Sequence, residues 1–246
     1  MSRQQIVQHG LSGFASEKST IHFLSICMQT TAPLSKEEIV PTANGDVCIR
    51  SYCQPDEIRQ YDFDAEFTAS ADYKSLYTRK QSLEEEARHA DANVVLALTR
   101  PPRIIGFGVL AYPGSRERWS ELGPQIMMEI KAIEVARSWR YAGIASQILR
   151  MTVDYPQIED KIFYMVGYSW TWDLTGTKKT ALEYRAMLMH LFASCGFQEY
   201  QTNEANVCLK PENIFMCRVG KNISQTINDR FKWLRFGLSP WTWKVR

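Results

Sequence analysis

Six cysteines stand among the 246 residues, yet none forms a C-x-x-C pair. The spacing of Cys27, Cys48, Cys53, Cys195, Cys208 and Cys217 matches neither a zinc site nor a dense disulfide framework. Buried free thiols in a reducing compartment are the expectation. The four histidines, His9, His22, His89 and His190, fall in no metal-ligand spacing, so no metal is expected. An excess of one charge is also missing: Lys+Arg 29 against Asp+Glu 27 leaves a net +2. That balance is too even for the broad positive field of a nucleic-acid binder. No uninterrupted apolar run approaches the roughly 18 residues of a membrane span. The first apolar patch, Ile21 to Met28, is too short and too late for a signal peptide, so a cytoplasmic location is expected. Asn222-Ile223-Ser224 then reads as an accidental glycosylation sequon. Internal repeats and low-complexity segments are lacking.

What is present is enough apolar sequence, 45%, for one substantial core. Residues 1–44 read as a polar N-terminal extension, with a short helix where Ser35-Lys36-Glu37-Glu38 has a capping-box pattern that Pro41 stops. Residues 45–220 read as the main domain and 221–246 as a basic C-terminal helix and tail. Within the domain the turn Asn44-Gly45-Asp46 precedes an alternating strand, Val47 to Tyr52. A charged, partly helical stretch follows from Pro55 to Asp91. Asn93 to Leu98 and Arg103 to Leu110, parted by Pro101-Pro102, read as an antiparallel hairpin. Met127 to Val135 reads as a fourth strand, Gly143 to Val153 as a helix, and Ile162 to Tyr168 as a strand covered on both faces. A longer helix from Lys179 to Cys195 ends at Gly196 in a left-handed cap position. Phe197 to Tyr200 and Ile214 to Val219 supply the last strands, and Ile227, Phe231 and Leu234 have helical spacing in the basic tail.

The chemistry is carried by the strand-turn-helix of Ile130 to Arg150. The first N–H groups of a helix lack internal partners and lie at its positive dipole end, a ready site for a diphosphate where side chains leave the backbone open. Gly143 and Ala145 provide that access. Arg140-Tyr141-Ala142-Gly143-Ile144-Ala145 resembles the R/Q-x-x-G-x-G/A signature of GNAT acetyltransferases, and the later helix from Lys179 ends in Cys195-Gly196-Phe197, as that family's last helix commonly ends in G-F. The resemblance implies an α/β fold of mixed α+β type: a central, mixed, mostly antiparallel, splayed sheet flanked by helices. It also implies acetyl-CoA as donor, with Ile133 and Val135 presenting backbone to its pantetheine arm, the 140–145 loop gripping its diphosphate, and Arg140 adding charge.

A base is needed because a protonated amine is a poor nucleophile. Glu129 lies eleven residues before Arg140, the position of the general base in lysine-acetylating family members, and its apolar neighbours Met127, Met128 and Ile130 would raise its basicity. Glu134 is the second candidate; strand alternation puts it on the opposite face, so the two are expected not to share one task. The family's customary acid, a tyrosine four residues before the G-F, is Phe192 here. Tyr168 and Tyr184 are the substitutes, with proton uptake from water as a further route.

The block from Tyr168 to Lys179, continued by Glu183-Tyr184-Arg185, resembles the corresponding stretch of the acetoin-utilisation acetyltransferases of bacilli, as do Glu117 to Glu121, Ala132 to Ala136 and Arg218 to Gln225. This implies a protein acceptor, an active-site lysine of AMP-forming acetyl-CoA synthetase, whose acetylation switches that enzyme off. Trp170, Trp172 and Asp173 are then expected to shape the acceptor-lysine channel, against the reading of a core plug with a capped turn. A small-amine acetyltransferase and a non-catalytic acyl-CoA sensor are the rival functions.

Overall fold

A computed structural model of the chain describes residues 35–68 and 75–238. Cys27, His9, His22 and most of the expected N-terminal extension lie outside the described residues.

In chain order the elements are β1 (Glu37–Val40), β2 (Val47–Arg50), α1 (Pro55–Gln60), β3 (Asp62–Phe63), α2 (Lys80–Ala87), β4 (Asn93–Leu98), β5 (Arg103–Ala111) and β6 (Met127–Val135). They continue with α3 (Ile144–Val153), β7 (Ile162–Gly167), α4 (Leu174–Thr177), α5 (Ala181–Ala193), β8 (Gln198–Glu199), α6 (Ala205–Cys208), β9 (Ile214–Val219) and α7 (Gln225–Leu234). The strands form one sheet in the order β1-β2-β4-β5-β6-β7-β9-β8, and β3 adds to β5. Among the described strands, only β6–β7 and β3–β5 are parallel. The parallel β6–β7 ladder has three rungs, Met127↔Ile162, Met128↔Phe163 and Glu129↔Tyr164, after which the strands part. This is the mixed, mostly antiparallel, splayed sheet expected from the resemblance.

Glu37–Val40 differs from the expected short helix. Ile39 and Val40 pair with Cys48 and Val47 across the Asn44-Gly45 turn, and Gly45 takes φ +106° there. A capping-box pattern in four residues lost to a hairpin partner close along the chain, as short local signals do when a strand edge is available. The sheet therefore begins before residue 45.

The helices cover two faces. On one, α3 and α5 bury Ile148, Leu149 and Phe192 against β4, β5 and β6. On the other lie two apolar clusters, one around Leu83, Phe67 and Phe107 under α1 and α2, one around Trp119, Tyr164, Phe215 and Phe231 under α7. The tail helix thus packs its apolar stripe on the domain. Ser224 caps it, its hydroxyl accepting from the Ile227 N–H.

What seats α3 is the absence of side chains on β5. A Cβ on Gly108 would collide with Thr152 Oγ1 and lie 2.7 Å from Ile148 Cγ2. Asn93 pins the other end, its amide donating to the Met151 and Thr152 carbonyls at 3.0 and 3.1 Å. Gly108→Ala is therefore expected to cost about 1–3 kcal/mol by overpacking. Urea denaturation checks this; a variant as stable as the parent would mean α3 is not held by close approach.

Candidate active site

The start of α3 has the backbone that an anion site needs. Gly143 is its N-cap in the left-handed region at φ +78°, and no atom lies within 4 Å of where its Cβ would be. Tyr141 is also left-handed, at φ +65°, and its side chain is 80% exposed. The N–H groups of the first turn open on a 290 Å³ cavity. Its walls are Ile133, Glu134 and Val135 of β6; Trp139, Arg140, Tyr141, Gly143, Ile144, Ala145 and Ser146; and, opposite, Thr177 and the α5 residues Tyr184, Met187, Leu188, His190 and Leu191. Ala142 is not in the wall and packs with the cluster around Ile144 and Ile148. Local chemistry places α5 there: Thr180 and Glu183 form a reciprocal capping box that starts the helix, and Gly196 at φ +81° follows its end.

The splay supplies the second feature. Ala136 donates its N–H to Ile105 on β5, so by alternation the amides of Ile133 and Val135 point into the gap towards β7. The Val135 carbonyl is met there by Arg140 Nε at 3.0 Å. An extended chain with alternating polar groups fits this edge, and its diphosphate end fits the open helix start. The residues present thus suit a coenzyme A-type ligand.

Asp173 holds the loop between these two parts. It is 1% exposed, and its carboxylate accepts from Arg137 Nε and Nη2 at 2.7 and 2.6 Å, from Arg140 Nη1 at 2.6 Å, and from the Gly176 N–H at 2.9 Å as the cap of α4. Burial opposes its charge, but these bonds outweigh burial and bring its pKa down to about 2. The residue expected to shape an acceptor channel is therefore sealed in an ion cluster that braces the 137–140 turn. Trp172, also buried, stacks on Tyr184 at 5.1 Å and backs the cavity wall. Trp170 alone of the three faces outward, 54% exposed, stacked on Tyr168 at 4.7 Å with Lys210 Nζ 5.0 Å from its ring centroid. A Cβ at position 176 would strike Asp173 Oδ2. Gly176→Ala should consequently loosen the cluster, read as a lower melting temperature together with weaker coenzyme binding; an unaltered melting curve would show the cluster to be slack.

A bulge in β6 revises the relation between the two glutamates. Val109 pairs with Ala132 but Leu110 with Ile130, so Lys131 is an extra residue. The face reverses there: Met128, Ile130, Ile133 and Val135 all join the α3-side clusters, while Met127 and Ala132 join those on the other face. Glu129 and Glu134 consequently share one face, where simple alternation sets them apart. Their surroundings still differ. Glu134 accepts from the Leu76 N–H at 2.9 Å and from the Ser75 hydroxyl, fastening that segment to β6. The nearby cation Lys131 is held by Glu86 at 3.1 Å. Burial, then Glu117, with Glu86 adding and Lys131 opposing, raises the Glu129 pKa to about 7.

Tyr168 sits just past β7, its hydroxyl pushed up to about 12 by burial and by Glu204, Glu129 and Glu117. Phe192 is core. Tyr164, adjacent to Glu129 across the parallel ladder, escaped the sequence reading because it sits inside an all-apolar strand. His190 and Met187 escaped because α5 is apolar nearly all round and gives no sign of which side faces a cavity. Among the described residues no group of three or more His, Cys, Asp or Glu is placed to hold a metal, and no helix is long and apolar enough to cross a membrane. Cys53 and Cys217 are buried free thiols, whereas Cys208 is exposed.

No family model matches the chain. It is 32% identical to the acetoin utilization protein AcuA of Bacillus licheniformis over 195 residues, 79% of this chain and 91% of the relative. To the AcuA of Bacillus subtilis it is 31% identical over 198 residues, 80% and 92% of the two. The crystal structure of an acetoin utilization protein from Exiguobacterium sibiricum, 24% identical, superposes with a TM-score of 0.76 over 85% of this chain and 97% of that one, and so shares its fold. With an open helix start beside the gap between β6 and β7 and relatives matched along most of their length, the chain belongs to the AcuA family of acetoin utilization proteins.

Proposed function

We propose that the enzyme transfers an acetyl group from acetyl-CoA to a lysine ε-amine of a protein, with AMP-forming acetyl-CoA synthetase as the acceptor that its family resemblance favours. The observation that carries the reading is the position of Glu129: a carboxylate on the last rung before β6 and β7 part, on the strand whose far end lines the cavity, where burial raises its pKa to about 7. Acetyl-CoA, when bound, supplies the activated acetyl thioester. The amides of Gly143 to Ser146 take its diphosphate, and Ile133 and Val135 align the arm along the gap. Arg140, braced by Asp173, adds positive charge to that wall. Glu129 accepts the proton that the arriving ammonium must lose. Glu134 serves the site by fixing the 75–77 segment. Tyr168, protonated at neutral pH, is the available donor for the departing thiolate, with water as the other source. The outward Trp170–Tyr168 stack offers the acceptor protein an aromatic rim. The Glu117 carboxylate near Glu129 gives the base acidic surroundings that suit a cationic lysine. The same reading places the enzyme in the cytoplasm with its acceptor.

The test is incubation with isotopically labelled acetyl-CoA and an acetyl-CoA synthetase, read by mass spectrometry of lysines. Label on one synthetase lysine with loss of synthetase activity is the expected result. Coenzyme binding with no transfer to the synthetase or to polyamines would replace the reading with a sensor, and labelled polyamine alone would replace it with a small-amine enzyme.

A further inference from the structure

Tyr164 is fully buried at the middle of β7, its ring 5.4 Å from Trp119 and 6.0 Å from Phe215. Apolar packing explains a phenylalanine here. It does not explain the hydroxyl, which has no hydrogen-bond partner among the described residues. A buried donor left unmet is uncommon and calls for a reason. The parallel ladder supplies one: Glu129↔Tyr164 is its last rung, and directly opposed residues on neighbouring strands project to the same face. The cluster memberships agree, since Tyr164 packs with Met127, which shares its face of β6 with Glu129.

We propose that Tyr164 is a positioning residue for the base: its hydroxyl donates to the ionised Glu129 carboxylate, directly or through one water, and fixes which carboxylate oxygen faces the amine. No proton leaves Tyr164. The amine's proton goes to Glu129, and the tyrosine hydrogen bond favours the ionised form that receives it. The groups facing this pair are Glu117 before β6, Lys131 beyond the bulge, Glu86 of α2, Tyr77 ahead of α2, Cys217 of β9 and Tyr168 past β7. Burial and the nearby Glu129 and Glu117 carboxylates push the Tyr164 hydroxyl up, so it keeps its proton at all working pH. This inference rests on Glu129 being the base, but its test does not require that any transfer be observed.

The experiment is a ¹³C-NMR titration of the Glu129 carboxyl, its signal identified by loss in Glu129→Gln. In Tyr164→Phe the titration midpoint should rise by about half a pH unit or more, because the donor to the charged form is gone. Incorporation of 3-fluorotyrosine at position 164, a stronger donor of nearly the same shape, should move it down; this arm also serves if Tyr164→Phe does not fold. Where transfer is measurable, kcat/KM of Tyr164→Phe should fall about tenfold with its pH midpoint displaced the same way, and KM for acetyl-CoA should hold. A midpoint that neither substitution moves would overturn the proposal and leave Tyr164 as packing, whereas a Glu129→Gln enzyme of full activity would instead remove Glu129 as the base.

Discussion

Glu129→Gln is expected to lower turnover about 10²–10⁴-fold at neutral pH, the range that a positioned general base contributes, while acetyl-CoA affinity stays nearly unchanged. The wild-type kcat/KM should climb as pH rises through about 7 and level off above it, because only the ionised carboxylate accepts a proton. In the variant that step should vanish. A stability effect of defined sign accompanies it. The folded protein keeps a proton on Glu129 up to about 7 that the unfolded chain releases near the ordinary 4.5, so the carboxylate's contribution is lost as pH rises through that window. Thermal unfolding at pH 8 should therefore find the Gln variant no less stable than the parent. Unaltered turnover would move the base elsewhere on the acidic face.

Asp173→Asn is expected to have the largest effect on the fold. It removes a buried carboxylate joined to both Arg137 and Arg140. The arginines left behind keep some access to solvent, so losing these charged hydrogen bonds costs about 2–3 kcal/mol, which for a domain of this size lowers the melting temperature on the order of 5–10 °C. The 137–140 turn carries Arg140 and leads into α3, so KM for acetyl-CoA should rise roughly tenfold, equivalent to about 1.4 kcal/mol. Turnover at saturating coenzyme should change far less. The pH sign is opposite to that of Glu129. With a pKa held down to about 2, the carboxylate stabilises the fold fully above its ordinary 3.8, and this is lost as pH falls from there through about 2. The variant should lose that part of the parent's acid unfolding. A coenzyme KM equal to wild type would mean that Asp173 supports only α4.

Much of this was readable from the residues alone. The strand Met127 to Val135, the helix after Gly143 and the order of elements around them were legible because long periodic runs and a glycine at a helix start are strong local signals. So was Glu129 as a raised carboxylate between apolar neighbours. Other features depended on contacts distant in sequence. β1 exists because a partner strand lies across a turn, and no property of Glu37-Glu38-Ile39-Val40 alone selects strand over helix. The bulge at Lys131 puts Glu129 and Glu134 on one face, and a one-residue irregularity leaves no mark on an alternating pattern. Asp173 read either as an acceptor-side residue or as the cap of a turn; it does cap α4, but only the fold brings Arg137 and Arg140, 36 and 33 residues away, to its carboxylate. Tyr164 was hidden by its neighbours, since an apolar strand gives no hint that one hydroxyl lies next to a carboxylate.

The coenzyme gap is the centre of the account, and amide hydrogen exchange with and without coenzyme A tests it most directly. Protection on ligand addition should concentrate in Tyr141 to Ser146 and at Ile133 and Val135, with little change in β1, β2 or α7. Coenzyme binding that leaves those amides exchanging as before, or that protects a different surface, would contradict it.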